Sequence, residues 1–236
     1  WLPAPLHLTY ALHLVVQAIA TVLVWNVPEL DTSDHPTPTI PQVARHVTQP
    51  WFLKTVLFTA PWVFGVAAVS LAVMPSVIGP LPGLPRIAAA GAVAGLTLGT
   101  SVLLQPSMRR WASHHPRSVT AVGMGVTTVG MGLATAGALL PAWWWLPIIA
   151  IVMGTAHGLT LVGCMTTVEL NTPSELMAAT TAVTYCLTYI GFLSPYLIAV
   201  LSTVGPAWLA LAGGAGAALV TTAWVGAQRT PSAATT

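Results

Sequence analysis

A chain of 236 residues that is 55% hydrophobic and 5% charged cannot cover a water-facing surface, because soluble domains carry roughly a quarter charged residues. The composition predicts an all-α membrane protein, a polytopic transmembrane helix bundle whose main partner is the lipid bilayer. Seven Lys+Arg against five Asp+Glu, sparsely scattered, exclude a nucleic-acid footprint.

Apolar runs occupy about 6–26, 52–74, 87–105, 119–140, 142–168, 177–202 and 205–226. Each comes close to or exceeds the roughly 20 residues of helix that a hydrocarbon core requires, which predicts about seven spans. The chain opens at Trp1, nearly inside an apolar run, with no basic segment and small-residue cleavage site ahead of it. It is therefore expected to be the C-terminal part of a longer protein. Between the first two runs lie Glu29, Asp31, Asp34, His35 and Arg45, together with Pro28, Pro36, Pro38 and Pro41. That composition predicts a solvated linker, extended at first by its prolines. The expected organisation is a leading helix at 1–26, a cytoplasmic linker at 27–50, a six-helix domain at 51–227 and a cytoplasmic tail at 228–236.

Basic residues orient the bundle. Arg45, Lys54, Arg109, Arg110, Arg117 and Arg229 fall on one side if all seven runs cross, and only Arg86 falls on the other. The positive-inside rule makes the first side cytoplasmic. Trp143, Trp144 and Trp145 then lie at the outer interface, where indole rings anchor helix ends. Gly91, Gly95 and Gly99 recur every fourth residue in the third run, and Gly154 and Gly158 repeat the spacing in the fifth. Such faces let helix backbones approach closely in lipid. Pro61, Pro147 and Pro195 interrupt three runs and are sites for a kink.

His157 sits in GTAHGLTLVG (154–163), near the middle of its run and so near mid-membrane. An ionisable group at that depth is costly and marks function by default. Two readings stay open for it. It exchanges a proton, or it is a neutral imidazole hydrogen-bonded to a neighbouring helix. Cys164 and Cys186 lie inside apolar runs as buried thiols, and the spacing of Cys and His supplies no metal site.

Three stretches carry a family resemblance. The first run closes in NVPEL (26–30), the segment QPSMRRWASHHPRS (105–118) forms a basic loop, and ELNTPSELMAATTAV (169–183) leads into YIGFLSPYLIAVL (189–201). The layout resembles the major facilitator superfamily, its sixth helix plus the whole C-terminal six-helix half. The basic loop matches the family's G-x-x-x-D-R-x-G-R-R pattern only through Arg109, Arg110 and Arg117, since the Asp is absent. Gly191 and Pro195 stand at the spacing of the family's eleventh helix.

The resemblance implies two six-helix halves of inverted three-helix repeats, with substrate held between them near the midplane. The first helix of each repeat, here 52–74 and 142–168, would line that cavity. It implies substrate-cavity roles for Trp62, Thr155, Thr160, Tyr185 and Tyr189, proton coupling for His157, and gating or loop roles for Arg109, Arg110, Arg117 and Pro195. A lining of hydroxyls and aromatics without fixed charge suits an uncharged, amphipathic or weakly basic small molecule.

The expectation is a secondary transporter in the plasma membrane, driving proton-coupled efflux and completed by a missing N-terminal half. The alternatives are an uptake symporter for a small nutrient, and a non-transporting seven-helix receptor or scaffold. A retinal receptor is disfavoured because residues 205–226 hold no Lys. No catalytic constellation or cofactor motif is present, so an enzyme is not expected.

Overall fold

The computed structural model describes residues 5–27, 37–79 and 81–228. Every regular element among them is a helix. The chain divides into two units between Thr37 and Pro38. The first contains one helix, α1 (Pro5–Trp25). The second contains a short helix, α2 (Ile40–Val47), followed by six long ones. These are α3 (Phe52–Ile78), α4 (Arg86–His114), α5 (Pro116–Leu139), α6 (Trp145–Asn171), α7 (Ser174–Leu201) and α8 (Ala207–Gly226).

The helices α3 to α8 are long and apolar enough to cross a membrane, which makes this a multi-pass membrane protein. In α1 the apolar stretch Tyr10–Trp25 is shorter. The acidic and proline residues at 28–36 and the tail from Arg229 lie outside the described residues, and so does the side chain of Arg117.

Local chemistry sets where the long helices stop. Gly79 ends α3 at φ +100°, a left-handed conformation that side chains rarely tolerate, and the Pro- and Gly-rich turn to Pro85 follows. Pro173 and Pro206 directly precede α7 and α8, where a missing N–H costs nothing. Pro147 is the third residue of α6, inside the first turn, so it starts that helix rather than interrupting it.

Two segments differ from expectation. The basic segment 105–118 is not a loop: α4 runs through Pro106 to His114, and α5 begins two residues later at Pro116. Its 29 residues extend to about 44 Å, against a hydrocarbon core of about 30 Å. That surplus length leaves room for the polar last turns, with Arg109 and Arg110, to extend beyond a hydrocarbon core.

The expected linker also contains α2. Gln42 Oε1 accepts the Thr39 backbone N–H at 2.8 Å, which closes the first turn. His46 is buried, with Nε2 3.2 Å from the Thr172 hydroxyl between α6 and α7 and its ring 5.3 Å from that of Trp51. Eight residues are too few for a stable isolated helix, so this docking holds α2 in place.

Within the second unit α6 is the central helix. It is 67% buried over its span and α3 is 61% buried, whereas the other four reach at most 44%. Leu146, Ile149 and Met153 of α6 join Val66, Val69 and Met74 of α3, Met131 of α5, Ile198 of α7 and Leu211 of α8 in the main core. Cys164 and Val168 pack against Phe52, Val56, Ala60 and Val63 of α3 in a second cluster.

Lipid tails are as apolar as Leu, so close packing and interhelical hydrogen bonds hold such a bundle together. The hydroxyls of Ser70 and Thr97 meet at 2.8 Å between α3 and α4. Thr59 lies 3.1 Å from the Cys164 sulfur between α3 and α6.

Glycine placement follows the same logic, with one departure from expectation. Gly154 and Gly158 of α6 face α4, where a Cβ would strike Thr97, Ser101 and Met108. Gly91, Gly95 and Gly99 of α4 meet nothing within 4 Å, so the most regular glycine stripe in the sequence is not a contact face inside the unit.

The charge asymmetry predicts a topology. Cys164 is buried as expected, but Cys186 is exposed. Single cysteines at the exposed positions Ser113 and Thr203, with both native cysteines replaced, should react with an impermeant maleimide from opposite sides of the membrane. In whole cells Thr203→Cys should label and Ser113→Cys should not. The reverse pattern would invert the assigned orientation.

Candidate functional site

Among the described residues, the centre of α6 carries the one buried imidazole within a long helix. His157 is 6% exposed and its Nδ1 lies 2.6 Å from the Val63 carbonyl of α3. A carbonyl only accepts, so Nδ1 carries the proton. In the neutral ring Nε2 is then the basic atom, and no described residue hydrogen-bonds it. The bond fixes the ring's orientation and leaves one nitrogen for proton exchange.

An aromatic ledge lies beside it. The Phe64 ring is 5.6 Å from the imidazole at 30°. Phe64 also stacks on Tyr189 at 5.3 Å and on Phe192 at 4.8 Å, and both of those α7 side chains are exposed. Three stacked rings therefore run from the buried His157 out to the surface between α3 and α7. Such an array suits a flat apolar or cationic molecule, because ring faces carry partial negative charge.

α3 and α7 are brought together just beyond the ledge. Gly191 presses its backbone against Pro61 and Gly65, and Ser194 donates to the Gly65 carbonyl at 3.1 Å. α7 tightens into a 3₁₀ turn at Gly191–Leu193, and Pro195 sits in the first turn of the segment that resumes at Ser194. Pro195 thus follows a real irregularity in its helix.

The residues named from sequence do not all gather here. Tyr189 joins His157 through Phe64. Trp62, two residues from Phe64, projects from another side of α3 into an apolar groove of about 460 Å³ shared with α5, α7 and α8. Thr160 is fully buried toward α5, 3.5 Å from the Thr127 hydroxyl and against Gly123. Thr155 is half-buried and donates back to the Ile151 carbonyl at 2.8 Å.

Tyr185, one turn from Tyr189, lines a different pocket of about 400 Å³ at the Arg109 end of the bundle. Arg109 and Gln105 of α4 and Glu169 of α6 line it too. Arg110 is exposed on the last turn but one of α4, and its carbonyl accepts from Ser113 at 2.8 Å.

Phe64 and Phe192 are the functional candidates that sequence reasoning passed over. Each is an ordinary apolar residue in an apolar run. The usable signal was the i, i+3 spacing of Tyr189 and Phe192, which puts both rings on one helix face. Among the described residues no three His, Cys, Asp or Glu side chains gather as metal ligands. Comparison with family models, curated proteins and solved structures finds no match to this chain.

Proposed function

We propose that this chain is the C-terminal half of a major facilitator-type secondary transporter, coupling proton movement to efflux of a small organic compound across the plasma membrane. The observation that carries the reading is His157. It is held at the middle of the most buried helix by one nitrogen, with the other free, beside aromatic rings that reach the surface. A group that must take a proton from one side and return it to the other needs such a position.

A second feature favours the same reading. The two most buried helices, α3 and α6, are the first members of the two successive three-helix sets α3–α5 and α6–α8. Repeats of this kind place equivalent helices around a shared central site. The ledge carries no fixed charge, which favours a lipophilic, weakly basic substrate over an anion. The rival reading of uptake symport uses the same site and differs in direction.

Vesicles holding the intact protein and an entrapped pH dye test this. With an acidic interior, adding a fluorescent lipophilic amine should alkalinise the lumen faster than in protein-free vesicles as protons leave in exchange. Vesicles holding only these 236 residues should show no such flux, since one wall of the cavity would be absent. A lumen whose pH changes at the protein-free rate across a panel of such amines would refute proton-coupled efflux.

A further inference from the structure

We propose that the pocket at the Arg109 end of the bundle is a binding site for a small zwitterion, with the anionic group on Arg109 and the cationic group on Glu169. The site is separate from the His157 ledge, and the proposal does not depend on the transport reading.

The pocket has a volume of about 400 Å³, within the range of small-ligand sites. Arg109 is on α4 and Glu169 is on the last turns of α6, so opposite charges stand on two different walls. Among the described residues neither has a salt-bridge partner. Among the described residues, then, no side chain competes with a ligand for either charge. An anion alone would be repelled by Glu169 and a cation alone by Arg109, whereas a molecule carrying both satisfies the two together.

The other walls refine the class. Tyr185 adds an aromatic ring and a hydroxyl to the lining, and Gln105 adds an amide. Leu161 and Met165 make part of the lining apolar, which suits a ligand with an aliphatic portion. Arg109 lies on the polar last turns of α4, a helix longer than a hydrocarbon core is thick, which suits a site at headgroup depth. A phosphoethanolamine headgroup carries the required pair of charges, and so does a water-soluble amino acid or betaine.

The test uses the intact protein in nonionic micelles, with binding of dihexanoyl phosphatidylethanolamine followed by calorimetry. Glycerophosphoethanolamine serves as the tail-free arm and dihexanoyl phosphatidylglycerol as the anion-only control. The ethanolamine lipid should bind at least tenfold tighter than the glycerol lipid. Arg109→Gln and Glu169→Gln should each weaken it at least fivefold, and both variants should keep the parent's ligand-free melting temperature because both side chains are exposed.

Equal binding by the tail-free arm identifies a soluble zwitterion, and binding only with tails identifies a lipid; either supports the charge assignment. Binding unchanged in both variants, no measurable binding of either ethanolamine compound, or phosphatidylglycerol binding as tightly as the ethanolamine lipid, overturns it. Loss of binding accompanied by a fallen ligand-free melting temperature is resolved by Arg109→Lys, which keeps the charge. That variant must retain binding within a fewfold of the parent, or the proposal fails.

Discussion

His157→Asn in the intact protein should abolish proton-driven accumulation while leaving the helix bundle folded. The atom that holds the ring is Nδ1, donating to the Val63 carbonyl at 2.6 Å. Asparagine places its amide nitrogen on the same carbon, so it keeps that donor and loses the titrating nitrogen. Glutamine mimics Nε2 instead and would let the Val63 contact go, so asparagine is the sharper substitution.

A gradient of one pH unit carried by one proton is worth about 1.4 kcal/mol, about tenfold in accumulation. The variant should lose that factor for a permanently charged lipophilic ammonium, which a pH gradient cannot trap passively, and its uptake should no longer depend on lumen pH. Its melting temperature should stay near the parent's, whereas His157→Leu should cost about 1 kcal/mol for the lost hydrogen bond. An asparagine variant that still accumulates the permanently charged ammonium tenfold would make His157 a structural residue and place coupling elsewhere.

The second large effect is on stability. Gly191→Ala should loosen the joint between α3 and α7, because a Cβ there runs into the Pro61 carbonyl and the Gly65 backbone. Neither obstacle is a flexible side chain, so the helices themselves must separate. Overpacking of this kind costs typically about 1–3 kcal/mol, and the Ser194 to Gly65 hydrogen bond would stretch with it.

Gly95→Ala is the matched control. Nothing lies within 4 Å of its added carbon, and removing a glycine from a helix interior gains up to about 1 kcal/mol. Thermal unfolding in micelles should therefore fall for Gly191→Ala and hold or rise for Gly95→Ala. If both fall equally, the Gly91, Gly95 and Gly99 face is a contact surface in the protein as purified.

These two glycines show where sequence reading reaches its limit. Gly95 belongs to the most regular every-fourth-residue pattern in the chain, and Gly191 belongs to none, yet only Gly191 is pressed against another backbone. Small-residue spacing reports that a helix offers a close-approach face, but the partner is supplied by the fold. His157 shows the same division. Its place near the middle of a long apolar helix was legible in the sequence, and its partner was not, because a backbone carbonyl on another helix has no side-chain signature.

What the sequence by itself determined was the helical architecture: the long apolar runs, their order, and ends that mostly agree within a few residues. Length and hydropathy are local properties, and Pro, Gly and Asn at the turns act locally as well. The exceptions were α4, whose polar last turns hid its true length, and α2, too short to register as a run.

Only the tertiary structure decided which face of each helix points where. In water an amphipathic stripe reveals that rotation, since one face is apolar and the other polar. Helices in lipid are apolar on every side, so the pattern carries no phase. Hence Tyr185 lines a pocket while Tyr189, one turn away, stacks on Phe64, and Trp62 and Phe64, two residues apart, project from different sides of α3. The rotation is set by where backbones can touch, at Gly154 on Thr97 of α4 and at Gly191 on Gly65, and those contacts exist only once the helices are assembled.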